Sequence, residues 1–288
     1  MSYRKLLLPL SETACGLAAL HLGLDLAQLW QAHLAALVMQ VDARSVAPLA
    51  GEGLSGAMIE DMMKATERES ATRAGVLKQV FADAVAAHGL EGGMPNGAQA
   101  GASAALTMVT GRDEEIVPAM AMLADLTILP HPSDDEEATA SECLHAVLFE
   151  SGRPVLIAPP VAPASIGRRC CIAWNGTVES SAALAAMLPW LKRAEAVRVL
   201  HAGEYQRSGP TAEAVVPYLA LHGVQADVGA FKPVNRDVGA GMLVAAEEFD
   251  ADLLGMGAYS HSRLRQLILG GVTRHVLRKA NVPVLMSR

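Results

Sequence analysis

The chain has 288 residues, of which 51% are apolar and 18% charged, with a net charge of −7. That is enough to bury one large core or, at the usual size of domains, two. Up to Pro160 the net charge is −11 and beyond it +4, which argues against a nucleic-acid surface across the whole molecule, and no aromatic residues interleave with basic ones as a base-stacking surface would need.

The opening MSYRKLLLPL has an apolar run far shorter than a signal-peptide core, followed by polar Ser11 and Glu12 instead of a cleavage site. No later run reaches the ~20 apolar residues that cross a bilayer. The expectation is therefore a cytoplasmic protein with no membrane partner. Continuous apolar runs predict strands near 5–10, 34–41, 104–110, 125–130 and 154–158, separated by helices near 14–30, 55–88, 113–123 and 139–151. Runs without polar alternation are how parallel strands covered on both faces read. The stretch near 55–88 carries Met58, Ile59, Met62, Met63, Val76, Leu77, Val80 and Phe81 among many charges, a spacing that fits a long amphipathic helix or a bent pair and reads as packing against the sheet, with a Met-rich partner groove as the alternative. Gly89 to Ala102, with five glycines and Pro95, reads as a loop, and Val161 to Ile166 as a linker. Beyond it strands are expected near 169–174, 196–202, 226–231, 252–257 and 283–287, with helices near 179–193, 211–222, 237–249 and 272–280. Strands alternating with helices make the fold class α/β. Cys15, Cys143, Cys170 and Cys171 form neither a metal-ligand spacing nor a disulfide framework. Adjacent strand residues face opposite ways, so Cys170 and Cys171 read as two buried thiols.

The two halves repeat each other. Leu6 to Ser11 matches Cys170 to Asn175, Ala124 to Leu129 matches Ala251 to Met256, and Arg153 to Ile157 matches Val282 to Met286, at offsets of 164, 127 and 129. The drop of 37 places an insertion of about that length between residues 43 and 102. The expected domains are 1–160, carrying this helical insertion, and 167–288.

The closing stretch from Ala251 holds the most chemistry. A strand ending in Gly257 leads through a loop to Gly270 and Gly271, which open a helix at Val272 and Thr273. Glycine admits close approach to the backbone, and unpaired N–H groups at a helix start favour an anion. His261, Arg263, Arg265, Arg274 and His275 lie close by in sequence and make a phosphate-bearing ligand the preferred one. Glycines also end strands and start helices where no ligand binds, which is the competing explanation.

With a five-stranded α/β unit given twice and Gly257, Ser260, Gly270 and Gly271 in the last loop, the chain resembles the universal stress protein family in its tandem-domain form. The family's signature is a glycine, two residues, a glycine, nine residues, a glycine and a serine or threonine. Gly257 and Gly270 fit it; Ser260 stands at the second glycine and Gly271 at the hydroxyl residue. The resemblance implies two doubly wound parallel sheets, adenine nucleotide alpha hydrolase-like, each of strand order 3-2-1-4-5 with its crevice between strands 1 and 4. It also implies that the two fifth strands, Val155 to Ala158 and Val284 to Met286, pair within the chain as a pseudo-two-fold dimer. A further dimer of chains is left open. In the family's nucleotide-binding members the loop and helix start hold ribose and phosphates, and the ends of the first two strands hold ribose and base. Carried over, the cofactor-binding positions are Ala173, Asn175, His201, Met256, Gly257, Ser260, Gly270, Gly271, Val272 and Thr273, with ATP or another adenine nucleotide as ligand and Mg²⁺ accompanying it. Asn175 is neutral where the family has an acidic residue. Ser260 would cost about 1–2 kcal/mol at a positive φ. The hydroxyl absent at Gly271 is worth on the order of 1 kcal/mol.

In the first half the equivalent loop, Leu129 to Glu137, has no glycine, two prolines and four consecutive carboxylates. Such a loop lacks N–H donors and repels phosphates, so this half is expected to be a degenerate copy without a nucleotide site. Two functions follow: a stress protein with a regulatory nucleotide in the second half, or a tandem scaffold that binds no nucleotide and contacts protein partners through the insertion and the acidic loop. No catalytic or metal-ligating set is legible, and an enzyme would be at most a slow ATPase.

Overall fold

The computed structural model describes residues 2–42, 56–94, 97, 101–132, 137–259 and 271–288. Six strands come from the first half: β1 (Lys5–Pro9), β2 (His33–Gln40), β3 (Glu91–Gly92), β4 (Ser103–Thr110), β5 (Leu126–Leu129) and β6 (Val155–Ile157). Five come from the second: β7 (Arg169–Ala173), β8 (Ala196–His201), β9 (Asp227–Ala230), β10 (Leu253–Gly257) and β11 (Val284–Ser287). Helices α1 (Ala14–Trp30), α2 (Gly56–Ala87), α3 (Asp113–Ala121) and α4 (Glu137–Ala146) belong to the first half, and α5 (Val178–Leu191), α6 (Ala212–Leu221), α7 (Val238–Glu248) and α8 (Gly271–Lys279) to the second. A π-helical turn, Val147–Ser151, prolongs α4.

All eleven strands form one sheet, ordered β3-β4-β2-β1-β5-β6-β11-β10-β7-β8-β9. Taking β4 and β9 as the third strands, each half has the expected order 3-2-1-4-5. Every pairing is parallel except the central one, where β6 meets β11 antiparallel with Leu285 opposite Leu156. The fifth strands thus join the halves, as the resemblance implies, and neither presents a free edge. One correction concerns Gly89 to Ala102. Glu91 and Gly92 pair with Ser103 and Ala104 as the short β3, a pairing whose exposed residues leave no apolar signal to read.

The central strands β1, β5, β6, β7, β10 and β11 are buried on both faces, and their alternate residues serve two cores. Leu6, Leu8, Cys170 and Ile172 pack under α1, α2, α5 and α6. Leu7, Cys171, Leu254 and Met286 pack under α3, α4, α7 and α8. Cys170 and Cys171 are accordingly free, buried and on opposite faces. Burial pushes the Cys171 thiol up to about 12, so it stays protonated. The first core is continuous between the halves: Tyr3, Trp30 and Trp190 contact one another edge-on or tilted, and the Tyr3 hydroxyl donates to the Ala186 carbonyl at 2.7 Å. A Cβ on Gly167 would stand 2.5 Å from the Trp190 ring, so the chain needs glycine to pass beneath it.

The repeat has a physical basis at the base of each unit. Asp125, just ahead of β5, accepts from the amides of Arg4 and Lys5 at 2.7 and 2.9 Å. Asp252, just ahead of β10, does the same for Arg168 and Arg169 at 3.1 and 2.8 Å. A carboxylate there satisfies the amides at the start of the first strand, which explains the Ala-Asp-Leu recurrence.

Candidate functional site

The sheet's switch point in the second half lies between β7 and β10, where connections leave in opposite directions and open a crevice at the strands' carboxyl ends. Register places Ala173 between Leu200 on β8 and Met256 on β10. Asn175, His201 and Gly257 continue those three strands, so five of the carried-over residues converge at one edge of the sheet. Ala173 and Met256 are buried and offer main chain only. The His201 carbonyl accepts from the Phe231 amide at 2.9 Å, which engages it with the chain leaving β9.

Asn175 is committed on one side. Its Oδ1 accepts from the Thr177 hydroxyl at 2.9 Å and from the Thr177 amide at 3.3 Å. Thr177 in turn caps α5 through a reciprocal pair with Ser180. Those two bonds occupy the Asn175 carbonyl oxygen, so what the side chain has left to offer is its amide N–H groups. The Thr-Val-Glu-Ser run at 177–180, one glycine after Asn175, is the sequence signal for this cap. The first half repeats the arrangement with Ser11 and Thr13, whose hydroxyls lie 3.0 Å apart while Thr13 caps α1.

The segment after β8 was not anticipated. Past a 3₁₀ turn at Gly203–Tyr205 it folds back across the end of β7. There the Arg207 amide donates to the Asn175 carbonyl at 2.8 Å, and the Trp174 indole donates to the Pro210 carbonyl at 2.8 Å. Gly176 (φ +76°) and Gly209 let the two backbones touch, and a Cβ on Gly209 would run into the Gly176 carbonyl. The second-strand side of the crevice is thus roofed by residues 206–210.

Gly257 has a packing task. A Cβ there would stand 2.6 Å from both the Glu179 carbonyl carbon and the Ser180 nitrogen, so β10 ends flush against the first turn of α5. Gly271 differs: it is exposed at the head of α8, and a Cβ added to it would meet nothing within 4 Å among the described residues. Val272 is half-buried and Thr273 is buried, so their contribution to a ligand would be through amides. Ser260, Gly270, His261, Arg263 and Arg265 lie outside the described residues.

His275 points away from the role its place in the sequence suggested. Its Nδ1 lies 2.7 Å from Asp237 Oδ2, and the other Asp237 oxygen accepts from the Ala240 amide at the start of α7. Gly239 completes this joint: a Cβ on it would stand 2.8 Å from His275 Cβ. The start of α8 is thereby held against the start of α7. Tyr259, two residues beyond β10, adopts φ +60° and buries its hydroxyl, which burial pushes up to about 12. No helix among the described residues is long and apolar enough to cross a membrane, and they contain no group of three or more His, Cys, Asp or Glu arranged to hold a metal ion.

Comparison with known proteins fits this geometry. Residues 168–288 match the model of the universal stress protein family. A universal stress protein of Synechocystis sp. is 52% identical over 42 residues, a stretch that spans 15% of this chain and 15% of that relative's length. Among solved structures, a universal stress protein from Archaeoglobus fulgidus DSM 4304 superposes with a TM-score of 0.67 at 16% identity, covering 99% of this chain and 98% of that one. A functionally unknown protein from Pseudomonas aeruginosa PAO1 does so with a TM-score of 0.52 at 17% identity, covering 99% and 92%. These two likenesses show the fold. The second half of the chain, residues 168–288, is thus a universal stress protein family domain, built onto a first half of the same strand order.

Proposed function

We propose that the second half binds an adenine nucleotide, ATP or a close relative, as a regulatory ligand, with Mg²⁺ carried on its phosphates. The observation that supports this reading is the head of α8. Among the described residues Gly271 is exposed and nothing stands within 4 Å of where its side chain would project, which leaves room for an anion at the amides of the first turn. Asn175 supplies N–H donors for a ribose hydroxyl. The role is binding and not turnover, and buried free thiols at Cys143, Cys170 and Cys171 suit a reducing, cytoplasmic setting.

Titration of the full chain with a fluorescent ATP analogue tests this, using Gly271→Glu as the control. The new carboxylate projects into open space and suits the positive end of a helix dipole, so folding is kept while phosphate is repelled. The expected loss of affinity is about tenfold or more, equivalent to about 1.4 kcal/mol. Absence of saturable binding at millimolar nucleotide would sink the proposal.

A second reading, a scaffold for a protein partner, draws on α2. Its buried residues begin at Ala74, so the preceding Gly56–Arg73 stretch, about 27 Å of helix, buries no side chain. Ser70 bonds the Val41 amide just past the end of β2, which sets residues 56–69 beyond the carboxyl edge of the sheet. Lack of nucleotide binding together with a partner lost on shortening this arm would favour the scaffold.

A further inference from the structure

Where the chain leaves β10 it is seated on the other half of the molecule. The Tyr259 ring packs edge-on against His145 at 5.5 Å and Phe149 at 5.2 Å between centroids. His145 and Phe149 stack on each other at 4.0 Å, and the Arg288 guanidinium covers the Phe149 ring at 3.5 Å. His145 and Phe149 belong to α4 and its π-helical turn, in the half whose own loop lacks glycine. The turn is locked by Ser151, whose hydroxyl donates to the Val147 carbonyl at 2.6 Å, and it ends at Gly152 (φ +65°). Two features of Tyr259 go beyond packing. Its backbone is in the left-handed region, which a tyrosine enters only under constraint, and its buried hydroxyl has no partner among the described residues. Strain kept at a strand end beside a candidate site points to a task there.

We propose that Tyr259 is a positioning residue through which the first half fixes the path of the chain out of β10, so that ligand binding in the second half answers to Phe149. The ligand part rests on the nucleotide reading above; the ordering part stands without it. The degenerate half then acts as the seat for its neighbour's site, an inter-half coupling carried by packed aromatic rings.

The test compares the full-length wild type with Phe149→Ala, Tyr259→Ala and Tyr259→Phe by backbone hydrogen exchange and by titration with ATP. Phe149→Ala and Tyr259→Ala should speed exchange at 253–259 and 271–276 by about tenfold or more, and weaken ATP by about fivefold or more. Tyr259→Phe keeps the ring seated and should match the wild type in both. Should Phe149→Ala misfold, Phe149→Leu replaces it, since leucine fills the site without stacking on His145. Folded alanine variants with wild-type exchange overturn the proposal, as does an ATP affinity that ignores them. A wild type that binds no ATP, with variants whose exchange still rises, removes the nucleotide reading and leaves the seating role standing.

Discussion

Gly257 and Gly271 flank the candidate site, and replacing each by alanine should move stability in opposite directions. Neither has a positive φ, so backbone strain plays no part and the space around each Cα decides first. A methyl on Gly257 would lie 2.6 Å from two main-chain atoms of α5 and 2.9 Å from Glu179 Cβ. Non-bonded carbons settle at about 3.5–4.0 Å, so the end of β10 and the first turn of α5 must part by roughly 1 Å. Backbone cannot swing aside as a side chain would, and overpacking of this kind costs about 1–3 kcal/mol. For a chain of this length each kcal/mol shifts Tm by about 2–4 °C, so Gly257→Ala should melt about 2–12 °C below the wild type. Gly271→Ala meets nothing within 4 Å among the described residues. Alanine is also the better helix former, by up to about 1 kcal/mol in a helix interior and less at a first turn. This variant should melt at or slightly above the wild type in differential scanning calorimetry. A Gly257→Ala protein melting within about 1 °C of the wild type, or a Gly271→Ala protein falling by more than about 3 °C, would refute the reasoning.

Further outcomes follow from individual bonds. Asp125→Ala and Asp252→Ala each strip two strand-start amides of their acceptor and should cost about 1–3 kcal/mol in urea unfolding. Asp237→Ala loses both the cap on α7 and the partner of His275, for about 1 kcal/mol, while Asp237→Asn keeps the cap and should stay within about 0.5 kcal/mol. His33 is buried with Nδ1 against the Ser103 hydroxyl at 3.0 Å, and burial, aided by Lys5, holds it below its ordinary value of 6.5. The unfolded chain then binds the proton more readily, so stability should fall as pH drops below 6.5. His145 is lowered in the same way, so His33→Gln should flatten only part of that fall in Tm between pH 7.5 and 5.5.

The strands and helices were legible because nearly every strand is covered on both faces and so reads as an unbroken apolar run. Leu6-Leu7-Leu8 serves two cores at once and leaves no alternation to misread. The amphipathic spacing of α2 placed its ends to within a residue, yet could not show that Met58 and Met62 would be 52% and 41% exposed. A stripe of apolar residues reports a face, not whether the sheet is long enough to cover it. At the site, the glycines were visible but their tasks were not: Gly257 looks the same in sequence whether a phosphate or Ser180 approaches it. His275 was grouped with the anion site because it lies close in sequence to Gly270 and Gly271, while its partner Asp237 caps another helix. The roof over Asn175 escaped notice because main-chain bonds from Arg207 leave no side-chain signature.

The antiparallel join of β6 and β11 ties two copies of one fold into a single polypeptide. In a homodimer of one-domain chains, any substitution strikes both subunits together. Covalent fusion lifts that restriction, so one copy can drift toward acidic loops and aromatic ledges while its twin conserves glycines at the corresponding place. Asymmetry within an outwardly symmetric body is what the fused architecture permits.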